Sequence, residues 1–158
     1  MGKHFFTIED FSCGYPGFKL SDIHFRLDKG SFTSIIGPNG SGKTTLFRGI
    51  TKALPALSGN ISLRGKDLES FSLKERARHI AIVSQFTDVS RISAEEYVLM
   101  GRIPYHKRFQ LFDSKDDIAI AEKYMKLTDV YQYKDKFLSE LSGGEQQRAA
   151  IARTMQLK

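Results

Sequence analysis

The stretch Gly37-Pro38-Asn39-Gly40-Ser41-Gly42-Lys43-Thr44 constrains this chain more than any other feature. A β-prone run, Phe32-Thr33-Ser34-Ile35-Ile36, ends directly before it, and Thr45-Leu46-Phe47-Arg48-Gly49-Ile50 follows with helical spacing. A glycine, four residues, then Gly-Lys-Thr between a strand and a helix is the setting in which such a loop binds phosphate. Glycines leave no side chain in the way, so successive N–H groups turn inward toward phosphate oxygens. The helix that follows aims its positive end at the same anion. Lys43 reaches the terminal phosphates as a point charge, and the Thr44 hydroxyl, next to Thr45, is placed to ligate Mg2+. The expected ligand is a nucleotide, Mg-ATP first among them.

Composition narrows the setting. With 158 residues and 41% hydrophobic content, the chain is long enough for one ordinary core. The longest apolar runs, such as Ile80-Ala81-Ile82-Val83, are only four residues, against about 20 for a membrane-spanning helix. Cys13 is the sole cysteine, so no internal disulfide or multi-cysteine metal site can form, and a reducing cytoplasmic location is expected. The net charge of +6 is scattered; its densest cluster, Arg102 with His106, Lys107 and Arg108, reads as a solvated basic face.

Along the chain, residues 5–8, 23–27, 32–36 and 60–63 read as strands punctuated by Gly14, Pro16, Gly17 and Gly30. Residues 80–84 read as a buried strand. Ser72-Leu73-Lys74-Glu75 and Ser93-Ala94-Glu95-Glu96 are capping-box helix starts, residues 116–126 are periodic after Ser114, and Ser142-Gly143-Gly144-Glu145 opens a last helix. Strands and helices alternate as far as Ser84, and a helical insert follows.

A phosphate loop alone specifies a ligand and not a function. The second motif, Leu141-Ser142-Gly143-Gly144-Glu145-Gln146-Gln147-Arg148, resembles the signature of ATP-binding cassette (ABC) ATPases, and the resemblance extends over essentially the whole chain. It implies an α/β fold: a P-loop NTPase (RecA-like) core with an N-terminal antiparallel β subdomain and a helical insert, lacking the second half of the core sheet. Residues 1–85 are then the first half of the core, 86–140 the helical subdomain, and 141–158 the signature and the return toward the core. Tyr15 lies where the family carries an aromatic residue that stacks on adenine. Gln85 matches the glutamine that contacts Mg2+ and the attacking water, so Lys43 and Gln85 are the expected contributors to catalysis and Thr44 and Gln85 the expected metal contacts. The insert around Glu95-Glu96-Tyr97-Val98-Leu99-Met100-Gly101-Arg102-Ile103-Pro104-Tyr105 is similar to the branch serving iron–siderophore, haem and cobalamin importers. The implied partners are a transmembrane permease and a second ATP-binding subunit, paired head to tail so that Ser142, Gly143, Gly144 and Glu145 of one meet the ATP on the other. That arrangement would hold the protein on the inner face of the membrane, with no nucleic acid expected.

The sequence departs from the family after Met155-Gln156-Leu157-Lys158. Relatives continue with an apolar strand ending in Asp-Glu and then a histidine, which support Mg2+, the hydrolytic water and the γ-phosphate. None of these occurs here, so the chain is expected to represent a form truncated before that strand, to bind without efficient turnover, and to fold poorly alone. Ser84 also replaces a customary proline. Two alternatives stay open at this stage: a non-catalytic nucleotide-binding remnant, and an ABC-type ATPase of DNA repair or chromosome maintenance.

Overall fold

The computed structural model describes residues 4–83, 91–107, 110 and 112–156. The chain divides into two units, Met1–Ser72 and Leu73–Lys158.

In the first unit, β1 (Phe6–Tyr15) and β2 (Phe18–Leu27) form a hairpin closed by Pro16 and Gly17. Proline presets the first turn position, and Gly17, at φ 88°, supplies the left-handed second one. On the other side of β1 lies β3 (Ala56–Leu63), which pairs with the short β4 (Lys66–Asp67); the order is β2-β1-β3-β4, antiparallel throughout. The register shifts between Ile8 and Phe11, where Asp10 takes φ 51°. Such a bulge breaks the two-residue alternation, and Phe11, Ser12 and Cys13 are consecutively buried. Helix α1 (Lys43–Ile50) packs on this segment through its small residue: a Cβ at Gly49 would stand 2.7 Å from Cys13 Sγ and 3.0 Å from Phe11 Cε1.

The strand expected over residues 32–36 does not form, nor does the buried strand expected over residues 80–84. Residues 31–38 and 80–83 carry no strand, and Ser84 lies outside the described residues. Phe32 and Ile36 are 94% and 92% exposed, and Ile82 and Val83 are about half exposed. The physical reason is that a strand is not a local structure. Its backbone groups need ladder partners, and parallel strands in particular are stable only when neighbours and covering helices bury them. Among the described residues neither segment has such a partner.

The second unit is helical: α2 (Leu73–Ala77), α3 (Ala94–Leu99), α4 (Lys115–Leu127) and α5 (Gly143–Thr154). Helices α3, α4 and α5 share a buried cluster that includes Ala94, Tyr97, Val98, Ala121, Met125, Ala149, Ala150 and Ala152. The three alanines of α5 let its neighbours approach closely while keeping high helix propensity. Each of the three helices starts at a serine in a reciprocal capping box: Ser93 with Glu96, Ser114 with Asp117, Ser142 with Glu145.

Beneath α4 lies an ionic network. Arg102 Nε donates to Asp117 Oδ1 at 2.9 Å and its Nη1 to the Gln156 carbonyl at 3.3 Å, while Gln156 Nε2 donates to the Val98 carbonyl at 2.8 Å. The Arg102 guanidinium also stacks 4.2 Å from the Tyr105 ring centroid. Burial pushes the Asp117 carboxyl up, but hydrogen bonds from Ser114, Arg102 and Gln110 outweigh it and hold the group well below the usual carboxylate range.

Candidate functional site

The phosphate loop wraps around its own lysine. Lys43 Nζ donates to the carbonyls of Gly37 and Pro38, both at 2.7 Å, and to Ser41 Oγ at 3.4 Å. Three acceptors from residues 37–41 therefore converge on one ammonium at the mouth of α1. Gly42 is the N-cap of α1 with φ 92° and ψ 8°, and Leu46 N–H donates to its carbonyl at 2.8 Å. Two constraints require glycine there: the left-handed backbone, and a neighbour so near that a Cβ would lie 2.7 Å from Leu20 Cδ2 and 2.9 Å from Phe18 Cζ. Thr44 is exposed in the first turn of α1, whereas Thr45 is buried and its carbonyl accepts from Cys13 Sγ at 3.6 Å. Asn39 and Gly40 form the exposed tip.

Tyr15 stands at the end of β1, 42% exposed and directly paired with Phe18. Cross-strand partners project to the same face of a sheet, so Tyr15 shares a face with the ring that packs over Gly42. Its hydroxyl accepts from Arg48 Nη1 of α1 at 2.9 Å. The structure thus ties Tyr15 to the last turn of α1 inside one unit. It also adds Phe18, Leu20 and Arg48, which the sequence reading passed over. Only the Pro16-Gly17 turn hinted at them, by folding β2 back alongside β1.

In the second unit, the signature residues form the start of α5. Ser142 N–H donates to Glu145 Oε2 at 2.7 Å, Ser142 Oγ donates to the same oxygen at 2.8 Å, and Glu145 N–H donates back to Ser142 Oγ at 3.4 Å. The backbone and hydroxyl of Ser142, then Tyr133, hold the Glu145 carboxyl below its ordinary range. Gln146 Nε2 anchors the turn from behind, donating to the carbonyls of Leu138 and Leu141, each at 3.0 Å. Gly143 and Gly144 are exposed, and a Cβ at Gly143 would meet nothing within 4 Å. Packing among the described residues therefore gives no reason for glycine at 143. Gln85, expected between the two motifs, lies outside the described residues.

Similar sequences and folds occur in known proteins. The family model described as ABC transporter matches residues 20–158. The chain is 38% identical over 149 residues to the ABC transporter ATP-binding protein YvrA of Bacillus subtilis (strain 168), covering 93% of this chain and 34% of that protein. It is 34% identical over 146 residues to the ferric enterobactin transport ATP-binding protein FepC of Escherichia coli (strain K12), covering 91% of this chain and 54% of that one. The chain thus spans about a third to a half of these relatives. Among solved structures, a nucleotide-free ATP-binding cassette from an ABC transporter superposes with a TM-score of 0.83 at 25% identity, over 98% of this chain and 66% of that one. The chain belongs to the ABC transporter family, and its fold is part of that family's ATP-binding domain.

Proposed function

We propose that this chain binds Mg-ATP and serves as the ATP-binding portion of an importer, where binding and hydrolysis drive passage of a substrate through a membrane permease. The observation that carries the reading is the convergence of Gly37, Pro38 and Ser41 on the Lys43 ammonium at the start of α1. The converging groups are carbonyl and hydroxyl oxygens, which hold the Lys43 ammonium at the mouth of α1; arriving phosphates would take over that charge, with the positive end of α1 behind them. Residues 37–45 would hold the phosphates: Gly37, Pro38, Asn39, Gly40, Ser41 and Gly42 by backbone, Lys43 by charge. Thr44, whose hydroxyl is exposed in the first turn, would take Mg2+ together with Gln85. The metal would neutralise phosphate charge and fix its geometry. Tyr15 would stack on the adenine.

The glycines of the signature support a head-to-tail pairing with a second ATP-binding subunit. Nothing among the described residues crowds Gly143, so this helix start is open to a close approach by another molecule. Ser142, Gly143, Gly144 and Glu145 would close over ATP on the partner, whose arrival shifts the pair toward the closed state. The transported substrate would be of the iron–siderophore, haem or cobalamin class, a reading supported by the insert around residues 95–105 and by the similarity to FepC. No helix among the described residues is long and apolar enough to cross a membrane, so membrane work would be done through the permease from its cytoplasmic side. Turnover needs a group that orients water. Lys43 and Gln85 would contribute to hydrolysis.

The test is equilibrium binding of fluorescent ATP. Lys43→Ala is expected to weaken affinity at least tenfold, about 1.4 kcal/mol or more; equal affinity would refute the phosphate-loop assignment.

A further inference from the structure

Arg48 is an exposed arginine on α1, and nothing in the motifs above gives it a task. Exposed arginines ordinarily point into solvent with many rotamers available. This one is committed: its Nη1 lies 2.9 Å from the hydroxyl of Tyr15, 33 residues earlier in the chain. Tyr15 is otherwise a half-exposed ring at a strand end, next to a two-residue turn. Without an anchor, its ring would sample several orientations.

We infer that Arg48 is a positioning residue for the base, holding the Tyr15 ring in the orientation that receives adenine. This rests on the reading of Tyr15 as the adenine platform. Lys43 opens α1 and Arg48 lies in its last turn. Five residues of α-helix place them about 7.5 Å apart along the axis. One rigid element therefore carries both the cation for the terminal phosphates and the donor that fixes the platform for the base. A second tie reinforces it: Phe18, paired with Tyr15, rests against Gly42 at the N-cap of the same helix. The hairpin tip and the phosphate loop are thereby registered to each other at both ends of α1, and the span between base and phosphates is set before a nucleotide arrives. Preorganisation of this kind raises affinity by lowering the ordering cost on binding.

The experiment uses the full 158-residue chain and a ribose-labelled fluorescent ATP, displaced either by ATP or by inorganic tripolyphosphate, which has phosphates and no base. Arg48→Met and Tyr15→Phe should each weaken ATP by about threefold to tenfold, the range of one hydrogen bond. Tripolyphosphate affinity should not move, and the double variant should bind ATP no worse than the weaker single. A merely structural role for Arg48 would lower both ligands in parallel, and that result overturns the inference. So does unchanged ATP affinity in Arg48→Met, or full additivity in the double variant. If Arg48→Met loses its circular dichroism signal, Tyr15→Phe removes the same hydrogen bond from the other side with no change of charge. Tyr15→Ala separates the two claims. If it leaves ATP binding intact, the platform reading itself fails; if it weakens ATP while Arg48→Met does not, only the role of Arg48 fails.

Discussion

At the scale of single residues, two glycines on helices have opposite reasons for being there. A methyl group at Gly49 would collide with Cys13 Sγ and the Phe11 ring, so α1 would have to lift from β1. Gly49→Ala should therefore destabilise the first unit by about 1–3 kcal/mol, the usual range for overpacking, measured by urea denaturation. Gly143→Ala meets open space and should leave unfolding within about 1 kcal/mol of the parent, or slightly stabilise it. Equal losses in the two variants would show that the second glycine is structural after all. Single residues were also where sequence reading reached its limit. The two motifs are contiguous, so the turn into α1 at Gly42 and the capped start of α5 at Ser142 were legible. The bond between Tyr15 and Arg48 joins residues 33 apart and exists only once the hairpin and helix have met.

At the scale of elements, legibility followed locality. The starts of α3 and α5 were readable because a capping box is settled within four residues, and α4 was readable from its periodicity after Ser114. The strands over 32–36 and 80–84 were misjudged because apolar, β-branched composition states only what a strand would like to contact. The same elements locate a pH response. Asp117 caps α4 and pairs with buried Arg102 at 2.9 Å, and its carboxyl is held below its usual range. In the unfolded chain it titrates near about 3.9. A group whose pKa falls on folding adds stability above its unfolded value and loses it as pH drops toward the folded one. Urea midpoints should therefore fall as pH is lowered through about 4, and Asp117→Asn should flatten that fall. The variant should also cost about 3–5 kcal/mol at neutral pH, because Arg102 would stay buried without its countercharge. A variant with the parent's acid slope would exclude Asp117 as its source.

At the scale of the molecule, the two units differ in how completely they enclose their apolar residues. The helical unit buries its cluster well, with Ala94, Val98, Ala121, Met125, Val130 and Leu138 fully covered. Around the phosphate loop, by contrast, Phe32 and Ile36 are almost wholly in water and the backbone between them makes no ladder. Unpaired, apolar, β-prone backbone is a template for association. Light scattering of the purified chain at micromolar concentration should detect assemblies larger than a monomer, and Phe32→Ser with Ile36→Ser should shrink them. A monodisperse monomer would rule this out.

Cys13 gives the fold one more property. Its thiol is fully buried under α1, against Gly49 and the Thr45 carbonyl, and burial pushes its ionisation up. A thiol reacts as the thiolate and only where reagent can reach it. With no other cysteine in the chain, alkylation reports the openings, local or global, that uncover β1 beneath the helix carrying Lys43. The protein thus contains its own chemical clock, and its rate counts the openings of the core on which α1 rests.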